Sequence, residues 1–162
     1  MSSQQKIVSL ETLKRKLAAA RRNGKVIAFT NGCFDILHRG HVSYLEAAKK
    51  KNRILIVGLN SDSSIQSIKG SKRPIIGQKE RASVLAALAC VDYVVLFNED
   101  TPYRLIKAIK PDVLIKGADW KGKDVAGSDV VLQNGGRVEL VKHLTQYSTT
   151  KIIETIKEKC AA

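Results

Sequence analysis

Val26-Ile27-Ala28-Phe29, then Gly32-Cys33-Phe34-Asp35-Ile36-Leu37-His38-Arg39-Gly40-His41, then an amphipathic stretch from His41 to Lys51: this run decides the fold. A short apolar run reads as a strand, the glycine-containing segment as a turn, and the amphipathic stretch as a helix. Backbone N–H groups at a helix start and two imidazoles then point toward one place, which suits a phosphate. The two histidines are three positions apart, on one helical face. Gly40 removes a side chain where a phosphate would approach the backbone. The residues alone point to an enzyme that handles a nucleoside triphosphate.

Working outward, apolar runs alternate with helical patterns along the chain. Ser9 caps a first helix whose Leu10, Leu13, Leu17 and Ala20 share a face, and Gly24 stops it. Strands are expected at 26–30, 53–59, 93–97, 112–116 and 137–141, with helices at 41–51, 78–88, 102–110 and 127–134 and another after Ser148. The strands are continuously apolar, as when helices cover both faces of a sheet. The expected fold is α/β: a doubly wound five-stranded parallel sheet with right-handed crossovers, in one domain over residues 1–162 with residues 1–8 loosely ordered. Such sheets bind ligands beyond the carboxyl ends of their strands. The chemically informative segments fall there: Asn31 to His41, Asn60 to Asp62, Lys116 to Trp120 and Tyr147 to Thr150.

Composition sets bounds. The chain has 162 residues, 44% hydrophobic and 27% charged, in the range of ordinary globular proteins. No apolar run is long enough to span a bilayer and no secretory signal is visible. Three scattered cysteines, Cys33, Cys90 and Cys160, give neither a disulfide framework nor a CxxC pair, which fits a reducing cytoplasm. A net charge of +13 raises the alternative of a non-catalytic nucleic-acid-binding protein. The lysines are dispersed, however, and aromatic residues are 5% of the chain, so no base-stacking surface is apparent. Neither GxGxxG nor GxxxxGK[ST] occurs, so the common dinucleotide and P-loop fingerprints are absent. Two histidines without a third ligand at metal spacing predict no protein-held metal.

The motif Gly32-Cys33-Phe34-Asp35 with His38-Arg39-Gly40-His41 resembles the signature of the HxGH nucleotidyltransferase superfamily, with its Rossmann-like fold. Further matches are Gly58 to Asp62, Lys69-Gly70 through Arg73-Pro74-Ile75, Glu80-Arg81-Ala82, Lys116 to Trp120, and Tyr147 to Ile153. Phe97-Asn98-Glu99-Asp100-Thr101-Pro102 and Ile109 to Asp112 are similar to the branch of sugar-1-phosphate adenylyltransferases that act on heptose 1-phosphate.

That resemblance implies transfer of AMP from ATP to D-glycero-β-D-manno-heptose 1-phosphate, giving ADP-heptose for lipopolysaccharide core synthesis. The alternative is a cytidylyltransferase acting on glycerol 3-phosphate or a similar phosphorylated alcohol. Mg²⁺ would arrive with ATP. His38, His41 and Lys69 are the expected catalytic residues. Asn31, Gly32, Cys33, Phe34, Gly40, Arg81, Lys116, Gly117, Asp119, Ser148, Thr149 and Thr150 are expected at the nucleotide. Asp35, Asn60, Asp62, Arg73 and Trp120 are expected at the acceptor. The resemblance also implies a homodimer or larger homo-oligomer, through the segment from Phe97 to Arg104 or the N-terminal helix.

Overall fold

The computed structural model describes residues 2–142 and 146–160. Helix α1 (Leu10–Arg22) leads into strand β1 (Val26–Gly32), followed by α2 (Arg39–Ala48) and β2 (Arg53–Asn60). Then come α3 (Asp62–Lys69), α4 (Gln78–Ala87), β3 (Tyr93–Phe97), α5 (Tyr103–Ile109) and β4 (Val113–Gly117). Helix α6 (Ser128–Gln133), β5 (Arg137–Val141) and α7 (Thr149–Cys160) complete the order. Ser9 caps α1 as expected, its hydroxyl accepting from the Thr12 N–H. Among the described residues no helix is long and apolar enough to cross a membrane.

The five strands form one parallel sheet in the order β3-β2-β1-β4-β5. Strand β1 is central, and the chain switches sides between β1 and β4. Successive strand residues face opposite layers. Ala28, Leu55, Val57, Val113 and Ile115 pack with Leu45 of α2 and with Ala82 and Leu85 of α4. Ile27, Phe29, Ile56 and Leu114 pack with Leu13 and Leu17 of α1 and with Leu105 and Ile106 of α5. Both faces are therefore covered, as the continuous apolar runs require. At the strands' amino ends two carboxylates hold the register: Asp112 accepts from the Ile27 N–H and Asp92 from the Leu55 N–H.

Two expectations differ from the structure. The segment after β2 is a helix, α3, capped by Ser61, whose hydroxyl accepts from the Ser64 N–H, and ended at Gly70 with φ +87°. Lys69 therefore stands in a last helical turn, not in a free loop. Ahead of α1 the chain carries a short 3-10 turn at Gln4–Lys6 and a bridge between Ile7 and Val94. The Lys6 ammonium also donates to the Leu88 carbonyl, because the segment covers the open edge of β3.

Candidate active site

A cleft of about 790 Å³ opens at the carboxyl ends of the strands. It is lined by Asn31 to Asp35, His38, Gly40 and His41 after β1, and by Asn60 at the end of β2. Lys69, Arg73, Lys116, Gly117, Asp119 and Trp120 also line it, as do Tyr147 to Thr150 at the start of α7. Besides the two histidines, sixteen of the eighteen residues expected at the site line this cleft; Arg81 and Asp62 do not.

The histidines are placed by the start of α2. His38 is its N-cap residue, in extended backbone, and His41 lies one turn on. Their rings stack at 3.8 Å between centroids, 19° from parallel, and Phe34 closes the far side of His41 at 5.0 Å. Both Nδ1 atoms are buried without a partner among the described residues. Burial lowers the pKa of His38, and burial together with the charges of His38 and Lys69 lowers that of His41 to about 4. The pair is thus neutral at pH 7 without ligand. With no acceptor at the buried Nδ1 atoms, we assign each proton to Nε2. The rings then act as N–H donors, and an arriving polyanion raises their pKa.

Lys116 ends β4 between two partners. Its ammonium donates to the Asn31 Oδ1 at 2.6 Å and lies 4.8 Å from the centre of the Trp120 ring. It is 7% exposed, and burial lowers its pKa to about 8 against the opposing charge of Asp119. Trp120 also lies 6.0 Å from the Lys123 ammonium, so its ring stacks on cations at the cleft rim. Tyr44, which the sequence reading missed, lines the cleft too. Its hydroxyl pairs with Thr30 at 2.8 Å and donates to the Ile115 carbonyl, tying α2 to β1 and β4, and burial raises its pKa to about 12.

Arg81 is the clearest correction. Expected at the nucleotide, it is 1% exposed and wholly engaged within the protein. Its guanidinium donates to the carbonyls of Ile76 and Cys33 and to the Asp62 carboxylate. Asp62, expected at the acceptor, also exchanges hydrogen bonds with Gln78, tying the start of α3 to the start of α4. Asp35 lines the cleft, but its oxygens accept from Arg73 Nε and from the N–H groups of Ile75 and Ile76. Asn60 donates to Ser64. The sequence reading also missed Asp100, Thr101 and Pro102 as cleft residues, although it singled out their motif. Being the turn after β3 was the available signal.

The other side of the cleft is the start of α7. Ser148 accepts from the Lys151 N–H, so the N-cap role is real, and Thr149 and Thr150 form the first turn. Across the cleft mouth the Arg39 guanidinium donates to the Tyr147 hydroxyl at 3.4 Å and lies over its ring. Among the described residues no three His, Cys, Asp or Glu side chains gather as a metal site.

Known proteins of similar sequence and shape bear on this site. The family described as cytidylyltransferase-like matches residues 29–155. Bifunctional protein HldE of Geobacter metallireducens is 54% identical over 154 residues, which are 95% of this chain and 31% of that protein. The protein of the same name from Helicobacter pylori is 55% identical over 152 residues, 94% of this chain and 31% of its own length. The chain thus spans about a third of the curated relatives it matches. Among solved structures, the lipopolysaccharide core biosynthesis protein of Thermoplasma volcanium superposes with a TM-score of 0.59 at 28% identity, over 76% of this chain and 98% of that one. Pantoate-beta-alanine ligase from Francisella tularensis shares the fold, with a TM-score of 0.57 at 15% identity over 94% of this chain and 77% of its own.

Proposed function

The chain belongs to the cytidylyltransferase-like family and is a nucleotidyltransferase, and from that premise we propose that it transfers AMP from ATP to D-glycero-β-D-manno-heptose 1-phosphate, releasing pyrophosphate and ADP-heptose. The observation that carries this reading is the cleft itself: His38, His41 and Lys69 on one side, Ser148 to Thr150 at a helix start on the other. Its volume lies toward the upper end of the ~300–1,000 Å³ common for ligand sites, which suits two substrates bound together. The similarity to bifunctional protein HldE and to a lipopolysaccharide core biosynthesis protein supports the acceptor.

In the proposed reaction an acceptor phosphate oxygen attacks the α-phosphorus of ATP. The new O–P bond forms as the bond to the β-phosphate oxygen breaks, and pyrophosphate leaves. The acceptor phosphate is anionic near neutral pH, so the step needs no general base. Catalysis then consists of in-line placement and stabilisation of charge. His38 and His41 donate N–H groups to the phosphates, and Lys69 adds a positive charge. Ser148, Thr149, Thr150 and the free N–H groups opening α7 hold the β- and γ-phosphates. Asn31, Gly32, Cys33, Phe34, Gly40, Lys116, Gly117 and Asp119 shape the nucleotide pocket. Asn60, Arg73 and Trp120 face the acceptor. A divalent cation such as Mg²⁺, carried on the triphosphate, would offset charge on the leaving group, beside the donors that His38, His41 and Lys69 supply.

The proposal extends to a cytoplasmic homodimer or larger homo-oligomer, which sedimentation velocity tests. Pyrophosphate release across ATP and CTP, with heptose 1-phosphate and glycerol 3-phosphate as acceptors, tests the chemistry. Turnover with ATP and heptose 1-phosphate is expected. Turnover only with CTP and glycerol 3-phosphate would replace this reading.

A further inference from the structure

We propose that Asp35 is a positioning residue that aims Arg73 at the acceptor phosphate, so that one short segment of chain builds both the acceptor-anion subsite and the phosphate-binding histidine turn. This rests on the reading of the cleft as a site for a phosphorylated acceptor.

The Asp35 side chain is 1% exposed. Its Oδ1 accepts from the Ile75 N–H at 2.8 Å and the Ile76 N–H at 3.0 Å, and its Oδ2 accepts from Arg73 Nε at 2.6 Å. A carboxylate so engaged is poorly placed to serve as a base or to bind substrate hydroxyls. Arg73 lines the cleft, and its Nη1 and Nη2 have no recorded partner among the described residues. A guanidinium is planar, so fixing its Nε edge fixes the plane in which the remaining N–H donors lie. Those donors match two oxygens of a phosphate, a geometry that a lysine in the same place does not reproduce.

The turn that carries Arg73 is secured at a second point. Arg81 donates to the Ile76 carbonyl at 2.9 Å and to the Cys33 carbonyl at 2.5 Å. The turn at 73–76 is thereby joined to residues 33–35, three positions before His38. Acceptor anion and triphosphate are then held by parts of one rigid unit, and the distance between attacking oxygen and α-phosphorus is set in advance.

The test is a double-mutant cycle of Asp35→Asn and Arg73→Gln, with KM for each substrate and kcat measured by pyrophosphate release. Asparagine keeps an oxygen for the two backbone N–H groups and removes the charge. Each single variant is expected to raise KM for heptose 1-phosphate by about tenfold, the scale of one charge-assisted hydrogen-bonded contact, and to leave KM for ATP within about twofold. The double variant is expected to be no worse than Arg73→Gln alone, because Asp35 acts through Arg73. Arg73→Lys is expected to lose as much as Arg73→Gln, and it keeps the question open to measurement if Asp35→Asn does not fold. Additive losses in the cycle, equal rises in both KM values, or full activity in Arg73→Lys would overturn the proposal. Calorimetric titration of inorganic phosphate, with a non-hydrolysable ATP analogue already bound, reads the same subsite whatever alcohol the acceptor carries. Weaker phosphate binding by Arg73→Gln and Asp35→Asn supports the proposal even if heptose 1-phosphate proves inert. Unchanged binding overturns it.

Discussion

The two helix starts that face each other across the cleft are built differently. Helix α2 buries Leu45 and Ala48 completely, and Tyr44 bonds to both neighbouring strands. Its histidines are stacked and backed by Phe34. Helix α7 has no fully buried side chain, and Ile156 is 51% exposed. Burying one large apolar side chain contributes about 1.5–3 kcal/mol, so α7 lacks the attachment that α1 gains from Leu13 and Leu17. On the proposed reading, the half of the phosphate clamp on α2 is firmly packed into the fold and the half on α7 is held more loosely. The proposal then gives the first half preorganised charge stabilisation and the second half affinity.

That contrast can be broken from the rigid side first. His38→Ala is expected to lower kcat on the order of 10²–10³-fold, the usual loss for one preorganised donor. An undiminished rate would remove the histidines from the chemistry. A paired Ser148→Ala and Thr149→Ala change is expected to act on binding instead, raising KM for ATP by about tenfold with kcat changed less. If kcat fell as steeply as in His38→Ala, the two halves would not differ in the way described. Arg39→Ala should have the smallest catalytic effect, about two- to threefold on KM for ATP, because its contact with Tyr147 is long and exposed.

Acidity separates the rigid half from the rest of the fold. His41 has a pKa near 4 in the folded protein and an ordinary value of 6.5. The unfolded chain therefore binds more protons between these values, and the stability from keeping the ring neutral is full above 6.5 and lost as pH falls toward 4. The expected loss is on the order of 1–2 kcal/mol, discounted for partial exposure, and His41→Gln should flatten it in denaturant titrations. Glu139 follows the same sign in a lower window, there because the charged form is favoured rather than because burial disfavours it. Its bond to Arg53, aided by Lys50, lowers its pKa from 4.5 to about 2, so its contribution is present above 4.5 and lost as pH falls through 2. A stability profile of Glu139→Gln that departs from wild type only above pH 5 would contradict this assignment.

The sheet was legible because strands β1 to β4 each hold an apolar run, and the stretches expected at 93–97 and 137–141 match β3 and β5 to the residue. The convergence of loops on one edge followed from that topology. Helix α3 was not legible: Asp62-Ser63-Ser64-Ile65-Gln66-Ser67 is rich in residues that disfavour helix interiors, and tertiary packing of Ile65 prevails over propensity. Arg81 misled for another reason. A basic residue on a helix near a phosphate site has the same spacing whether it meets a ligand or three partners within the protein. The histidines' neutral state was hidden as well, since it depends on burial and on Lys69, which lies 28 positions beyond His41.

Trp120 gives the molecule an optical property. It is the sole tryptophan of the chain, 37% exposed at the cleft rim and stacked against two ammonium groups. Its emission reports on the electric field at its ring, and a polyanion entering the cleft changes that field by drawing Lys116 and Lys123. Ligand occupancy can thus be followed in the unlabelled protein, in real time and without turnover, from a signal that arises at the site alone.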